Sequence, residues 1–247
     1  MFRPLAASAL ALAMALPASA LDLSEMSDEQ RAIFREEVRA YLMDNPQVIM
    51  DAVAVLEERQ QAAQAQADLS LVTDNAEEIF NDGYSFVGGN PDGDITLVEF
   101  LDYRCGFCKR AHGEVAKLLE SDGNIRLIVK EFPLLGEQSL LASRFAVATK
   151  QVAGPEAYKG LNDALMTMNG EVNMRSLRRM ASTFGLDADA IEARMDSEEV
   201  TNEIRRTREL AQRLQITGTP TFVLQDELLR GFLPFDEMMA LVEEKRG

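Results

Sequence analysis

The stretch from Ile95 to Phe132, ITLVEFLDYRCGFCKRAHGEVAKLLESDGNIRLIVKEF, constrains this chain most. Ile95 to Leu101 is apolar almost throughout, the pattern of a strand covered on both faces in an α/β sheet. From Gly106 to Ser121 the period turns helical, with Val115, Leu118 and Leu119 recurring along one side. Asp122-Gly123-Asn124 then turns the chain into a second apolar strand, IRLIVKEF. Strand, helix and strand at these lengths make a βαβ unit.

Around this unit the chain reads as a small sheet interrupted by a long helical stretch. SFVGGNPDGD gives a short strand and a turn before Ile95. Residues 136–214 are helical in pattern, broken at Gly154-Pro155, at Asn169-Gly170 and across Phe184-Gly185-Leu186-Asp187. TPTFVLQDELLRGF supplies two short strands around Gln225-Asp226-Glu227, and LPFDEMMALVEEKR a closing helix. The expected boundaries are 84–133 and 216–247 for the two parts of the sheet domain, with 134–215 as a helical insertion.

Two helices are expected before any strand, within residues 21–75. Ser27 and Gln30 have capping-box spacing, and Phe34, Val38, Tyr41 and Leu42 follow at helical intervals, which predicts a helix over 28–43. Asn45 and Pro46 suit the start of a second helix, with Ile49, Val53, Leu56, Ala63 and Ala67 down one side. From Gln60 to Ala67 this helix is rich in Gln and Ala, strongly helical but offering little to a core. It either packs on its own domain or against a copy of itself, and self-association is the expectation.

The first twenty residues carry Arg3, an apolar run from Leu5 to Leu16, and Pro17 before Ala18-Ser19-Ala20. This is the pattern of a secretory signal cleaved after Ala20. The run is shorter than the ~20 residues of a membrane span, so no membrane anchor is expected and the protein is placed in a periplasm-like compartment. The formal net charge is −16, which repels nucleic acid and anionic lipid alike. In such a compartment disulfides persist, and the only two cysteines become candidates for pairing.

Cys105 and Cys108 stand at i and i+3 on a helix start, about 60° apart around the axis, within disulfide reach. Unpaired N–H groups and the positive end of the helix dipole favour a thiolate there, and Arg104, Lys109 and Arg110 add charge. Cys105 is expected to be the nucleophile and Cys108, one turn deeper, the resolving thiol. A permanent staple closing so short a loop would remove little entropy from the unfolded chain. Zinc would need four ligands, and beyond His112 no fourth is evident.

His112 lies two turns from Cys105, about 10 Å along the axis, too far to be its base, and reads as a surface or packing residue. Glu99, inside the apolar strand, has two readings. It is either a strand-edge residue reaching water, or a buried acid with a raised pKa that moves a proton to or from Cys108. Met166, Met168 and Met174 could bind Cu(I) through their thioethers, though methionine more often fills gaps between helices.

VEFLDYRCGFC, the helical insertion and the later TGTPTFV together resemble the DsbA-like branch of the thioredoxin superfamily, closest to ScsC-type and Com1-like exported proteins. The resemblance covers residues 85–247. It implies a thioredoxin fold with an inserted helical domain and an N-terminal helical oligomerisation segment, in which the N-terminal helices join subunits as trimers or dimers. It also implies a cis bond at Thr219-Pro220 beside the cysteines, with the Thr219 backbone, Pro220, Gly106 and Phe107 contacting client protein as an added strand would. Glu99 matches the buried acid of that family. Gly106-Phe107 lacks the Pro-His found between the cysteines of DsbA itself, which points to a less oxidising disulfide.

The expected activity is therefore thiol–disulfide exchange with cysteine-containing client proteins. The leading expectation is an oligomeric disulfide isomerase reset by a membrane redox partner, with no cofactor. A monomeric oxidase and a copper-sequestering protein are its rivals.

Overall fold

The computed structural model describes residues 26–247. The expected signal, residues 1–20, and the start of the N-terminal segment, 21–25, lie outside the described residues. The chain divides into two units, one ending at Arg59 and the other running from Gln60 to Gly247.

The first unit holds α1 (Asp28–Asp44) and the beginning of α2 (Gln47–Asp74). A reciprocal cap starts α1: Gln30 N–H donates to Ser27 Oγ at 3.2 Å, and Ser27 N–H to Gln30 Oε1 at 2.9 Å. No residue of α1 is buried, and Ile33, Phe34, Val38, Tyr41, Ile49 and Val53 all lie exposed.

In the second unit, α2 continues past Ala67 to Asp74 and buries Asp68 and Val72. A short helix that the periodicity did not reveal, α3 (Ala76–Phe80), buries Ile79. It is too short for a 3.6-residue repeat to show. Then follow β1 (Phe86–Gly89), β2 (Ile95–Leu101), α4 (Gly106–Ser121) and β3 (Ile125–Glu131). The helical stretch comprises α5 (Glu137–Ala153), α6 (Pro155–Thr167), α7 (Met174–Thr183), α8 (Ala188–Met195) and α9 (Glu198–Arg213). One break beyond the three expected falls before α9, where Ser197 Oγ accepts from the Val200 N–H. The chain closes with β4 (Thr221–Leu224), β5 (Glu227–Arg230) and α10 (Phe235–Arg246).

The sheet order is β1-β3-β2-β4-β5, with β2 and β3 parallel and the remaining pairs antiparallel. Alternation along β2 and β3 feeds two cores. Ile95, Leu97, Leu101, Leu127 and Val129 join α4, α10 and the inserted helices, whereas Val98, Phe100 and Ile128 meet Val72, Ile79, Leu210 and Leu214. Both faces being covered explains why these strands carry so few polar residues. Each large apolar side chain so buried contributes about 1.5–3 kcal/mol. Two charged neighbours on β3 interrupt the pattern: Lys130 follows the Ile128 face and Glu131 the Val129 face. Lys130 is fully buried, and its Nζ donates to Asp82 Oδ2 and to the carbonyl of Glu78, tying the segment after α3 to the sheet.

Candidate active site

The chain leaves β2 at Asp102, whose carboxylate organises the turn that follows. Asp102 Oδ1 accepts from the Arg104 N–H at 2.7 Å and from Ser139 Oγ at 2.7 Å. Its Oδ2 accepts from the N–H groups of Leu134 and Leu135. The Cys105 N–H donates to the Asp102 carbonyl at 3.0 Å, which closes the turn and leaves Cys105 as the N-cap of α4. Arg104 Nη1 and Lys109 Nζ reach the carbonyls of Gly170 and Met168, holding the helical insertion against this corner.

Both cysteines are free thiols. Cys108 is wholly enclosed and Cys105 is 7% exposed, so the first sulfur is the accessible one. Cys105 Sγ donates to the carbonyl of Thr219 at 3.1 Å, and the Thr219–Pro220 bond is cis. The structure thus brings Thr219 and Pro220, far away in sequence, against the cysteine pair. Gly106 and Phe107 cap the same corner from outside. Phe107 is 55% exposed, and Arg110 stacks between the rings of Phe107 and Phe232, at 4.5 and 4.9 Å. Burial pushes the Cys108 thiol well up, and the nearby charges of Cys105 and Glu99 push in the same direction.

Glu99 lies in the central strand and is 2% exposed, which removes the reading of a strand-edge residue in water. Burial first, and the negative charge of Glu131 second, push its carboxyl up to about 8. No group among the described residues hydrogen-bonds to its Oε1. Glu131 sits on the same face and is raised by burial to about 7, against the pull of its hydrogen bonds. Tyr103 and Tyr158 donate to its Oε1 at 2.6 and 2.7 Å, and Asn162 Nδ2 donates to the Tyr103 hydroxyl.

His112 is half-buried rather than a free surface residue. Its Nε2 lies 3.2 Å from Asp163 Oδ1 on α6. Met166 is buried in the core, and Met168 and Met174 pack against it.

Three parts of the site escaped the sequence reading. Glu131 carried the same signal as Glu99, an acid inside an apolar strand. Asp102 carried a turn signal, a short acid directly after a strand with its carboxylate accepting from the N–H two residues on. The Arg110–Phe232 stack had no local signal, because Phe232 comes from beyond β5.

Residues 96–243, more than half the chain, match the family model described as DSBA-like thioredoxin domain. The chain belongs to the DSBA-like thioredoxin family. Residues 30–63 match a second model, Copper resistance protein ScsC N-terminal domain. A thioredoxin-like oxidoreductase from Silicibacter pomeroyi DSS-3 superposes with a TM-score of 0.65 at 41% identity, covering 70% of this chain and 98% of that one. The catalytic domain of Proteus mirabilis ScsC gives 0.65 at 25% identity, over 72% of this chain and 97% of that domain. Disulfide bond formation protein D of Bacillus subtilis (strain 168) is 23% identical over 169 residues, 64% of this chain and 75% of that protein. Na(+)/H(+) antiporter NhaA 3 of Salinispora tropica is 25% identical over 156 residues, but the chain spans only 24% of its length. Membership places this chain among thiol–disulfide oxidoreductases of ScsC-like type. No helix among the described residues is long and apolar enough to cross a membrane.

Proposed function

We propose that this protein is an exported disulfide isomerase that exchanges disulfides with cysteine-containing client proteins and works as an oligomer. The observation that carries the exchange chemistry is the arrangement at the start of α4. An accessible Cys105 sulfur bonds to Thr219 O, with an enclosed Cys108 one turn behind it and an unpaired buried acid below. Cys105 attacks a client disulfide as a thiolate and forms a mixed disulfide. Cys108 must then lose its proton to attack Cys105, and burial makes that loss unfavourable. Glu99, within electrostatic reach, takes the proton. Thr219, Pro220, Gly106 and Phe107 form the contact surface for an extended client segment.

Oligomerisation is supported by the first unit, whose helices expose Phe34, Val38, Tyr41, Ile49 and Val53 to water, a cost that packing against a second copy removes. Several catalytic units on one assembly raise the effective concentration of thiols around one misbridged client. The match at residues 30–63 supports the same reading. A membrane redox partner returns the pair to the dithiol form, and the segment 1–20 directs export.

A chain beginning at Gln60 tests this reading, since Asp68 and Val72 belong to the second unit and must stay. It is expected to keep thiol reductase activity, to lose rescue of scrambled disulfides, and to have the solution mass of a monomer. A truncated, monomeric chain that still rescues scrambled substrate ends the oligomeric reading, whereas a full-length chain with the mass of a monomer and no such rescue favours the monomeric oxidase. The similarity of residues 30–63 to the N-terminal domain of a copper resistance protein favours a second reading, in which the cysteine pair and methionines hold Cu(I) without turnover. It requires Cu(I) retention that drops when Met166 and Met168 become Leu, and no catalysis of insulin reduction.

A further inference from the structure

Glu99 lines a cavity of about 200 Å3 enclosed by β1, β2, β3, α4 and α6. Leu119, Leu127 and Val129 supply apolar wall, while Glu99, Asn162, His112 and Asp163 supply polar groups. An apolar cavity of this size stays dry, but one with an unpaired carboxyl oxygen and a ring of polar groups has the partners that several waters need. His112 stands four residues after Cys108, one turn further along the same face of α4. Its side chain is 23% exposed and that of Asp163 45%, so this pair touches solvent as well as the cavity.

We propose that His112, oriented by Asp163, passes protons between the water of this cavity and bulk solvent, giving the proton collected by Glu99 an exit that a bound client does not cover. The proposal rests on the proton-accepting role of Glu99 argued above. Nε2–H donating to Asp163 leaves the Nδ1 lone pair free to accept from cavity water. Burial lowers the His112 pKa, and Asp163 opposes that shift without cancelling it, so the ring is neutral at neutral pH and able to accept. Glu99 is faced by Cys108 on α4 and by Glu131 on β3, itself bonded to Tyr103 and Tyr158. His112 is faced by Asp163 and Lys159 on α6, which also pair with each other.

The exchange runs here in the reducing direction, from a mixed disulfide on Cys105. Cys108 gives its proton to the Glu99 carboxylate, and its thiolate attacks Cys105 Sγ. The Cys105–Cys108 bond forms, and the bond from Cys105 to the client breaks. The second client sulfur leaves as a thiolate, and over the two attacks the client disulfide has gained the two electrons that the cysteine pair has lost. Glu99 then releases the proton through cavity water to His112 and solvent, where the client thiolate takes one up.

The test is single-turnover kinetics of the full reduced chain with a labelled peptide disulfide, in which release of the second thiol reports the attack by Cys108. In H112A this second phase is expected to slow about tenfold at pH 8.5, where the Glu99 carboxylate is ionised and able to accept, less than the loss of a direct general base because water partly substitutes. The first phase stays unchanged, and added imidazole restores the second in proportion to its concentration. D163N, which keeps the ring, is expected to slow it less and to move its pH profile. A purely structural role for His112 would not respond to imidazole, so slowing without rescue overturns the relay. If E99Q slows the second phase while H112A and D163N do not, the relay falls and the role of Glu99 stands. If E99Q leaves that phase unchanged, the role of Glu99 falls and takes the relay with it.

Discussion

Lys130 and Glu131 are neighbours on β3, and the sheet sends them to opposite faces with opposite solutions for a buried charge. On the Lys130 face the cation meets Asp82, the Glu78 carbonyl and Ser85, so every polar group has a partner. On the other face burial raises two acids, Glu99 and Glu131, the charge of Glu131 raises Glu99 further, and one oxygen of each has no hydrogen-bond partner among the described residues. The first arrangement holds α3 and its following loop to the sheet. The second is unfavourable for folding and sits beside the cysteines, where a carboxyl poised near neutral pH can exchange a proton. Difference in pairing, rather than burial itself, separates the structural face from the chemical one.

The largest effect is expected from Lys130→Met. It leaves Asp82 buried without its cation, and urea unfolding should show a loss of about 3–5 kcal/mol. A negligible loss would mean that Asp82 relaxes to water and that the two faces are less unlike than described. Next comes Glu99→Gln. The folded protein holds the Glu99 proton up to about pH 8, whereas the unfolded chain releases it in the ordinary carboxylate range. Stability is therefore full below that range and falls as pH rises towards 8. E99Q removes this loss, so it should be more stable than the parent by about 1–3 kcal/mol at pH 8 and nearly equal at pH 4, while slowing thiol release. Urea midpoints across pH decide this, and an equal shift at both pH values would show that Glu99 does not titrate as described. Smallest is Tyr158→Phe, which deletes one donor to Glu131 and should cost about 1–2 kcal/mol. Because that bond favours the ionised acid, the Glu131 titration should also move upward, which infrared difference spectra can follow.

The order of strands and helices was legible because both sheet faces are covered, which makes Ile95–Leu101 and Ile125–Glu131 stand out as apolar runs. Cys105 and Cys108 were legible because their spacing is local. Pro220 was reached only through the resemblance, since nothing near TGTPTFV states that β4 lies beside β2. Partnerships crossing the fold stayed hidden: Asp82 with Lys130, Tyr103 and Tyr158 with Glu131, His112 with Asp163. Each joins residues from separate elements, and periodicity shows which face a residue takes but not what meets it there. The acid at Glu131 had the same local signal as Glu99 and went unread beside the conspicuous Lys130.

The attack sequence can be observed directly by mass spectrometry of the reduced full-length protein mixed with a peptide disulfide. In C108S the peptide should accumulate on Cys105 as a stable mixed disulfide, whereas C105S should form no adduct and release no thiol. An adduct on Cys108 in C105S, at a rate near that of the parent, would contradict the assignment of the less buried sulfur as nucleophile and of the enclosed one as its resolver.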